Sequence, residues 1–353
     1  MIASTKEREP AVATPQSGAD TEDPGGVDSA AAGRSIRSRL HALLGPDSRL
    51  RKRFIAWWEG YYLPDEPKPE PEAVPAKPAP AVQRPPAGDV PPRVLPDRWS
   101  AERVKISELI WSDGFSFPGG ADHVLKLVKP MGLNKEKSML DLGSGLGGAA
   151  RVIAKSFGTW VTGMEASPTL AKAGMDASER AGLGKKAPIE WFDPLSVELP
   201  AKKYDAIFAR LVFLFLANKK RLLAETHKAL KPGGQLMFLE FVVTKKGANS
   251  KALIDWIAGE DHRPELYTLD DYTRDIRSLN FDLRVAEDIT SEFRGLVLDG
   301  WKRLADTLKP KSLRPEEVMS LTHEVELWSR RVAAFDSGDL RCVRLYALKK
   351  VTA

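Results

Sequence analysis

The chain has 353 residues, a net charge of +5, 26 prolines that cluster rather than spread, and one cysteine, Cys342. A single cysteine excludes an intramolecular disulfide and a cysteine-built zinc cage, and no metal site is expected; it fits a reducing compartment. No run of about 18 apolar residues occurs and the N-terminus lacks an apolar signal core, so the expectation is a cytoplasmic protein, either soluble or peripheral at the inner face of the membrane. The charge is too modest to point to nucleic acid.

Residues 1-33 are rich in Ala, Gly, Ser, Pro, Asp and Glu and lack the apolar surface to order themselves, which predicts a disordered N-terminal extension. Between Arg34 and Arg53 seven basic residues face one acid, Asp47. Ile36, Leu40, Leu43 and Leu44, then Leu50, Phe54, Trp57, Trp58 and Tyr61 recur at helical spacing on either side of Gly45-Pro46, predicting two basic amphipathic helices within 34-63. Such helices suit an anionic membrane surface, a groove on a protein partner, or the chain's own domain. Residues 64-97 form a Pro-rich linker, extended at about 3 Å per residue and so able to reach up to roughly 100 Å.

Residues 98-353 alternate apolar strands with amphipathic helices. The strands are Ser138-Leu142, Trp160-Met164, Pro188-Phe192, Tyr204-Ala209 and Gln235-Phe241; the helices between them are Gly148-Phe157, Pro168-Ala181 and Lys219-Leu230. This order predicts an α/β fold with a doubly wound, Rossmann-like sheet. Phe281-Val285 and Arg341-Leu348 complete seven strands. The last, placed after a long helical insertion within 243-340, is expected to join antiparallel at the sheet edge.

The first strand runs into MLDLGSGLGG, with four glycines in six residues. Gly143, Gly145 and Gly148 satisfy G-x-G-x-x-G, and Glu165 follows about 20 residues on, as in a dinucleotide site. Asp141 argues for another ligand. It stands two residues before the first glycine, where a pyrophosphate would be repelled by a carboxylate in a low-dielectric cleft. A ligand with an ammonium and a sulfonium, such as S-adenosylmethionine, would be attracted. Glu165 at the end of strand two suits two ribose hydroxyls, and Asp193 at the end of strand three suits an adenine amino group.

On DLGSGLGG, the acid of GMEAS, the Asp of EWFDPLS, YDAIFAR and LKPGGQL, the sequence resembles the class I S-adenosylmethionine-dependent methyltransferases from roughly Arg98 to its C-terminus. The resemblance implies a methyltransferase in which Gly143 and Gly145 let the backbone approach the cofactor, Asp141 holds its amino end, Glu165 the ribose and Asp193 the adenine. Arg210, closing YDAIFAR, joins this cofactor set. A closer likeness lies in RWSAERVKISELIWSDGFSFPGGADHVLKLV and WSRRVAAF, which resemble segments of phosphoethanolamine- and glycine-type N-methyltransferases. It implies a lid helix over the cofactor, with Ser116, Phe117 and Gly119 at the methionine end and Arg331 at a phosphate-binding position.

Where the phosphobase enzymes have a lid Tyr, an Asp and His four residues apart after strand four, and a Tyr at the end of strand five, this chain has Trp99, Leu211, Phe215 and Phe241. None can take a proton. Three readings stay open. The acceptor needs no protein base, with proximity carrying the rate and Trp99, Phe213, Phe215 and Phe241 boxing a cationic amine; the acceptor is larger, apolar and lipid-linked; or catalysis is lost and the chain is a cofactor-binding adaptor recruited through residues 34-63. His262, Arg263, Tyr267 and Tyr272 are further candidates for the pocket, whereas His123 and His227 read as structural.

Overall fold

The computed structural model describes residues 95-308 and 313-351. The extension 1-33, the basic helices 34-63 and all but the last three residues of the linker lie outside the described residues. Strands β1 (Ser138–Leu142), β2 (Trp160–Glu165), β3 (Ile189–Trp191), β4 (Tyr204–Arg210), β5 (Leu230–Val243), β6 (Phe281–Asp288) and β7 (Leu340–Lys349) form one sheet in the order β3-β2-β1-β4-β5-β7-β6. The first five are parallel and β7 is antiparallel to both neighbours. Strands buried on both faces read as nearly continuous apolar runs, as SMLDL and YDAIFA do.

One expectation is corrected. Strand β7 does not lie at the sheet edge but between β5 and β6. Cys342 packs into one core while Val343, Leu345 and Ala347 pack into the other, so both faces of β7 are buried. The half-exposed β6, with charged residues at Asp282, Arg284, Glu287 and Asp288, suits the edge instead. At the start of β5, Leu230 pairs with Tyr204 and Gln235 with Ala206, so Lys231-Gly234 loops out of the ladder.

Helices α1 (Ala101–Trp111), α2 (Gly120–Val128), α3 (Gly148–Phe157), α4 (Pro168–Arg180), α5 (Lys219–Ala229), α6 (Lys251–Gly259), α7 (Leu269–Ser278), α8 (Thr290–Thr307) and α9 (Pro315–Asp336) surround the sheet. Their starts carry polar caps: the side chains of Ser100, Ser167, Asn218, Ser250 and Thr268 each accept a first-turn N–H. None of the helices among the described residues is long and apolar enough to cross a membrane. On one face α1, α8 and α9 bury an aromatic knot in which Trp111 lies 4.8 Å from Trp328 and 6.1 Å from Trp301.

Charge closes this subassembly. Arg103 of α1 bonds Glu324 of α9 and Asp261, the second residue after α6, each at 2.7 Å, and Arg331 of α9 grips Glu260 through two 2.7 Å bonds. Burial favours the neutral Asp261 carboxyl, but hydrogen bonding from His323 and the Arg103 charge outweigh it and hold the group well below the usual carboxylate range. A depressed pKa stabilises the fold above the unfolded value near 4 and ceases to do so as pH falls through the folded value. Asp261→Ala should therefore lower stability by about 1.5-3 kcal/mol at pH 7. In denaturant titrations that difference should be full above roughly pH 4 and shrink below it.

A second prediction concerns the start of α3. A Cβ on Gly148 would lie 2.3 Å from the carbonyl oxygen of Gly114 and 2.9 Å from the Phe115 ring. The neighbour is backbone, so it cannot swing aside. Gly148→Ala should destabilise by about 1-3 kcal/mol, seen as a lower urea midpoint at unchanged slope.

Candidate functional site

The sheet order reverses between β1 and β4, and a parallel sheet opens a crevice at such a point, outside the carboxyl ends of its strands. A cavity of about 220 Å³ lies there, lined by the β1 loop (Gly143, Ser144, Gly145), the end of β2 (Glu165, Ala166, Ser167), the end of β4 (Arg210, Leu211, Val212, Phe215), Gly114-Phe117, the segment Leu95-Trp99, and His262. Gly143, at φ 76°, adopts a backbone that other residues reach only with strain, and the N–H groups of Gly143 and Ser144 donate to the Met164 carbonyl at 2.8 and 3.0 Å. The loop is thereby fixed to the neighbouring strand.

Glu165 ties the cavity floor together. Its carboxylate accepts from Gly145 N–H at 2.7 Å and from Ser167 N–H at 2.9 Å, and burial pushes its pKa up against these bonds. Asp141 is fully buried just behind the wall; one oxygen accepts from Ser144 Oγ at 2.8 Å, and the Arg210 guanidinium lies 4.0 Å away. Burial raises the pKa of Asp141 and lowers that of Arg210. Asp141 Oδ1 and Arg210 Nε are buried without a hydrogen-bond partner. Such orphaned groups are costly, and a ligand bringing an ammonium and a carboxylate would relieve both. The donor set therefore fits the methionine end of S-adenosylmethionine.

The wall that follows β4 is apolar. Leu211, at φ 51°, holds a left-handed conformation unusual for a side-chain-bearing residue, with its N–H donating to Leu239 O at 3.0 Å. The following loop is held by two buried charges. Glu240 accepts the N–H groups of Phe213 and Phe241, each at 3.0 Å, while Lys219 Nζ donates to the carbonyls of Phe213, Leu214 and Leu216 at 2.6, 3.0 and 3.0 Å. Burial pushes the Glu240 carboxyl up and the Lys219 ammonium down, each being steadied by the other's charge.

Over the mouth lies Leu95-Trp99. Asp97 pins it by accepting from Ser167 Oγ at 2.8 Å, Thr169 N at 3.0 Å and Trp99 N at 3.1 Å. The Trp99 ring is covered on one face by the Arg103 guanidinium, 4.4 Å from its centroid.

The structure thus brings Gly143, Gly145, Glu165, Ser116, Arg210, Trp99, Phe117, Leu211, Phe215 and His262 to one cavity, with Asp141 behind its wall. It does not bring the others. Asp193 stands next to lining residue Pro194 and accepts from Leu195 N and Ser196 Oγ at 3.0 and 2.6 Å, as a turn former does. Phe241 is corrected to the core, its ring packed on Phe293 and Phe335 at 5.6 and 5.2 Å. Arg331 is corrected to a buried cation bonded to Glu260 through Nε and Nη2. Phe213 and Tyr272 are core rings 6.4 Å apart, and Arg263 and Tyr267 do not line the cavity. Asp97 and the Lys219-Glu240 clamp were not anticipated. The clamp left a legible signal, an acid inside the apolar run MFLEFVV; Asp97 left none, because it reads as the end of a linker.

Comparison with known proteins agrees with this geometry. A family profile described as a methyltransferase domain matches residues 140-238. The phosphoethanolamine N-methyltransferase of Plasmodium falciparum is 26% identical over 246 residues, covering 67% of this chain and 87% of that one. Phosphoethanolamine N-methyltransferase 2 of Caenorhabditis elegans is 33% identical over 146 residues, covering 40% of this chain and only 33% of that longer protein. In structure, the Haemonchus contortus phosphoethanolamine N-methyltransferase 2 in complex with S-adenosyl-L-methionine superposes with a TM-score of 0.62 at 21% identity, over 70% of this chain and 56% of that one. The profile thus marks residues 140-238, which carry the glycine loop and strands β2 to β4, as a methyltransferase domain, and the sheet around them with its inserted antiparallel β7 has the fold of the S-adenosylmethionine-bound neighbour.

Proposed function

We propose that this enzyme transfers the methyl group of S-adenosylmethionine to a small acceptor with an apolar body, and not to a phosphobase of the kind named in its relatives. The wall around Leu211, Val212, Phe215 and Trp99 carries this reading, because among the described residues it offers a phosphorylated acceptor no cation comparable to the one the resemblance assigns to Arg331. That guanidinium is taken by Glu260. Arg98 lines the mouth, but it is exposed to solvent and so is a weak anchor for a phosphate.

In this reading Asp141 and Arg210 hold the amino and carboxylate groups of the cofactor, Glu165 the ribose, and Ser116 and Phe117 cover the methionine end. Bound S-adenosylmethionine supplies an electrophilic methyl on a sulfonium. The chain's own contribution is orientation and exclusion of water: Leu211 and Phe215 are held rigidly by the Glu240-Lys219 clamp, and Leu95-Trp99 is pinned across the opening. Trp99 is engaged by Arg103, which argues against its use as one side of a cation-binding box.

Calorimetry on the full chain should show S-adenosylmethionine binding, weakened about 10- to 100-fold by Asp141→Asn, the range expected when a charged hydrogen-bond partner is lost. Labelled methyl transfer should then be faster to apolar amines and phenols than to phosphoethanolamine. Faster turnover of phosphoethanolamine would overturn the acceptor assignment, and binding without transfer to any acceptor would favour the adaptor reading.

A further inference from the structure

Among the described residues that line the cavity is a histidine to which the proposed function gives no role toward the cofactor. His262 lines the cavity beside Phe215, its ring edge-on to that ring at 5.6 Å between centroids. Phe215 is the residue that stands where the resemblance places a histidine. Neither nitrogen of His262 makes a hydrogen bond to any of the described residues.

The segment that carries His262 is unusually well fixed for a connection between helices. The two preceding residues are anchored in opposite directions: Glu260 by two bonds to Arg331, and Asp261 by Arg103 at 2.7 Å and His323 at 3.0 Å. Three residues on, Glu265 N–H donates to Leu214 O at 2.8 Å, joining this segment directly to the loop that presents Phe215. The imidazole is therefore held against the acceptor wall from both sides.

Other ionisable groups lining the cavity are unsuited to accept a proton from an acceptor at that wall. Asp97 is occupied by Ser167, Thr169 and Trp99, and Glu165 by Gly145 and Ser167. Arg98 and Arg210 are cations and have no basic lone pair. Burial favours the neutral form of His262; Arg98 on the lid segment and Arg103 on α1 add to this, against Asp261 and Glu260 on its own segment. A neutral imidazole is the form with a lone pair free.

Building on the function proposed above, we propose that His262 is the general base of the reaction, which confines the acceptor to protic nucleophiles, amines or hydroxyls. The acceptor lone pair forms the new bond to carbon, the carbon–sulfur bond breaks with its electron pair kept by sulfur, and the proton released by the acceptor passes to the His262 ring. The function lost at Leu211 and Phe215 is thereby supplied from the insertion after β5, one ring away.

The test uses the full chain with 15N-labelled histidine. His262, assigned by comparison with His262→Gln, should titrate at a pH about half a unit or more lower with S-adenosylmethionine than with S-adenosylhomocysteine, because only the former places a positive sulfonium beside it. In parallel, His262→Gln should reduce kcat on the order of 100-fold or more with the best amine or phenol acceptor while leaving calorimetric S-adenosylmethionine affinity unchanged, and should remove the acid limb of the pH profile. Moving the base, in His262→Ala with Phe215→His, should recover part of the lost rate, which a merely structural histidine would not allow. Equal titration with both cofactor forms, or full activity of His262→Gln, overturns this inference and leaves the proposed function standing. Failure of the wild type to methylate any acceptor overturns both.

Discussion

The acceptor side of this site depends on the way two buried charges of opposite sign hold the loop after β4. Residues 211-218 run LVFLFLAN, and Phe213, Leu214 and Leu216 are buried, so their backbone groups are cut off from water. Backbone N–H and C=O groups in that position must find partners. Glu240 supplies acceptors from inside β5 and Lys219 supplies donors from the first turn of α5. Two buried charges of this kind are weak evidence for stability, since desolvation offsets much of their attraction. Here its consequence is geometric: the loop has a fixed course, Leu211 is held in a strained conformation, and Phe215 faces the cavity.

The same principle extends outward. The Glu265-Leu214 hydrogen bond attaches the insertion to the clamped loop, and the Arg103 and Arg331 pairs attach the insertion to α1 and α9. Asp97 then attaches the lid segment to the N-terminus of α4, beside the Glu165 floor. Apart from the backbone bond between Glu265 and Leu214, these links are hydrogen bonds to charged groups, which are roughly twice as strong as neutral ones. In the proposed function, walls fixed in this way hold the reactants in place and help keep water from them, as transfer of an electrophilic methyl group requires.

Much of this was legible in the sequence because it is local. SMLDL, YDAIFA and RCVRLYAL announce strands through unbroken or alternating apolar runs, and the glycine loop with Asp141 and Glu165 at successive strand ends points to the ligand. The position of β7 inside the sheet was not legible, because strand order is decided by which faces find buried partners, and the exposed β6 takes the edge only in three dimensions. Arg331 and Phe241 were assigned to the pocket by analogy of position; nothing in their neighbourhood along the chain reveals that Glu260, 71 residues away, claims the first or that Phe293 and Phe335 enclose the second. His262 lay open as one of several candidates, and only the packing of the insertion against LVFLFL separates it from Arg263 and Tyr267.

The proposed function turns on the orientation of the cofactor, with its methyl end toward the wall of Leu211, Phe215 and His262. A crystal structure of the full chain with S-adenosylhomocysteine bound measures it most directly. The expected result is a sulfur atom facing that wall, with the amino group on the Asp141 side, the carboxylate toward Arg210 and the ribose at Glu165. An adenine ring stacked on Phe215, or a sulfur turned toward Pro194, would contradict it.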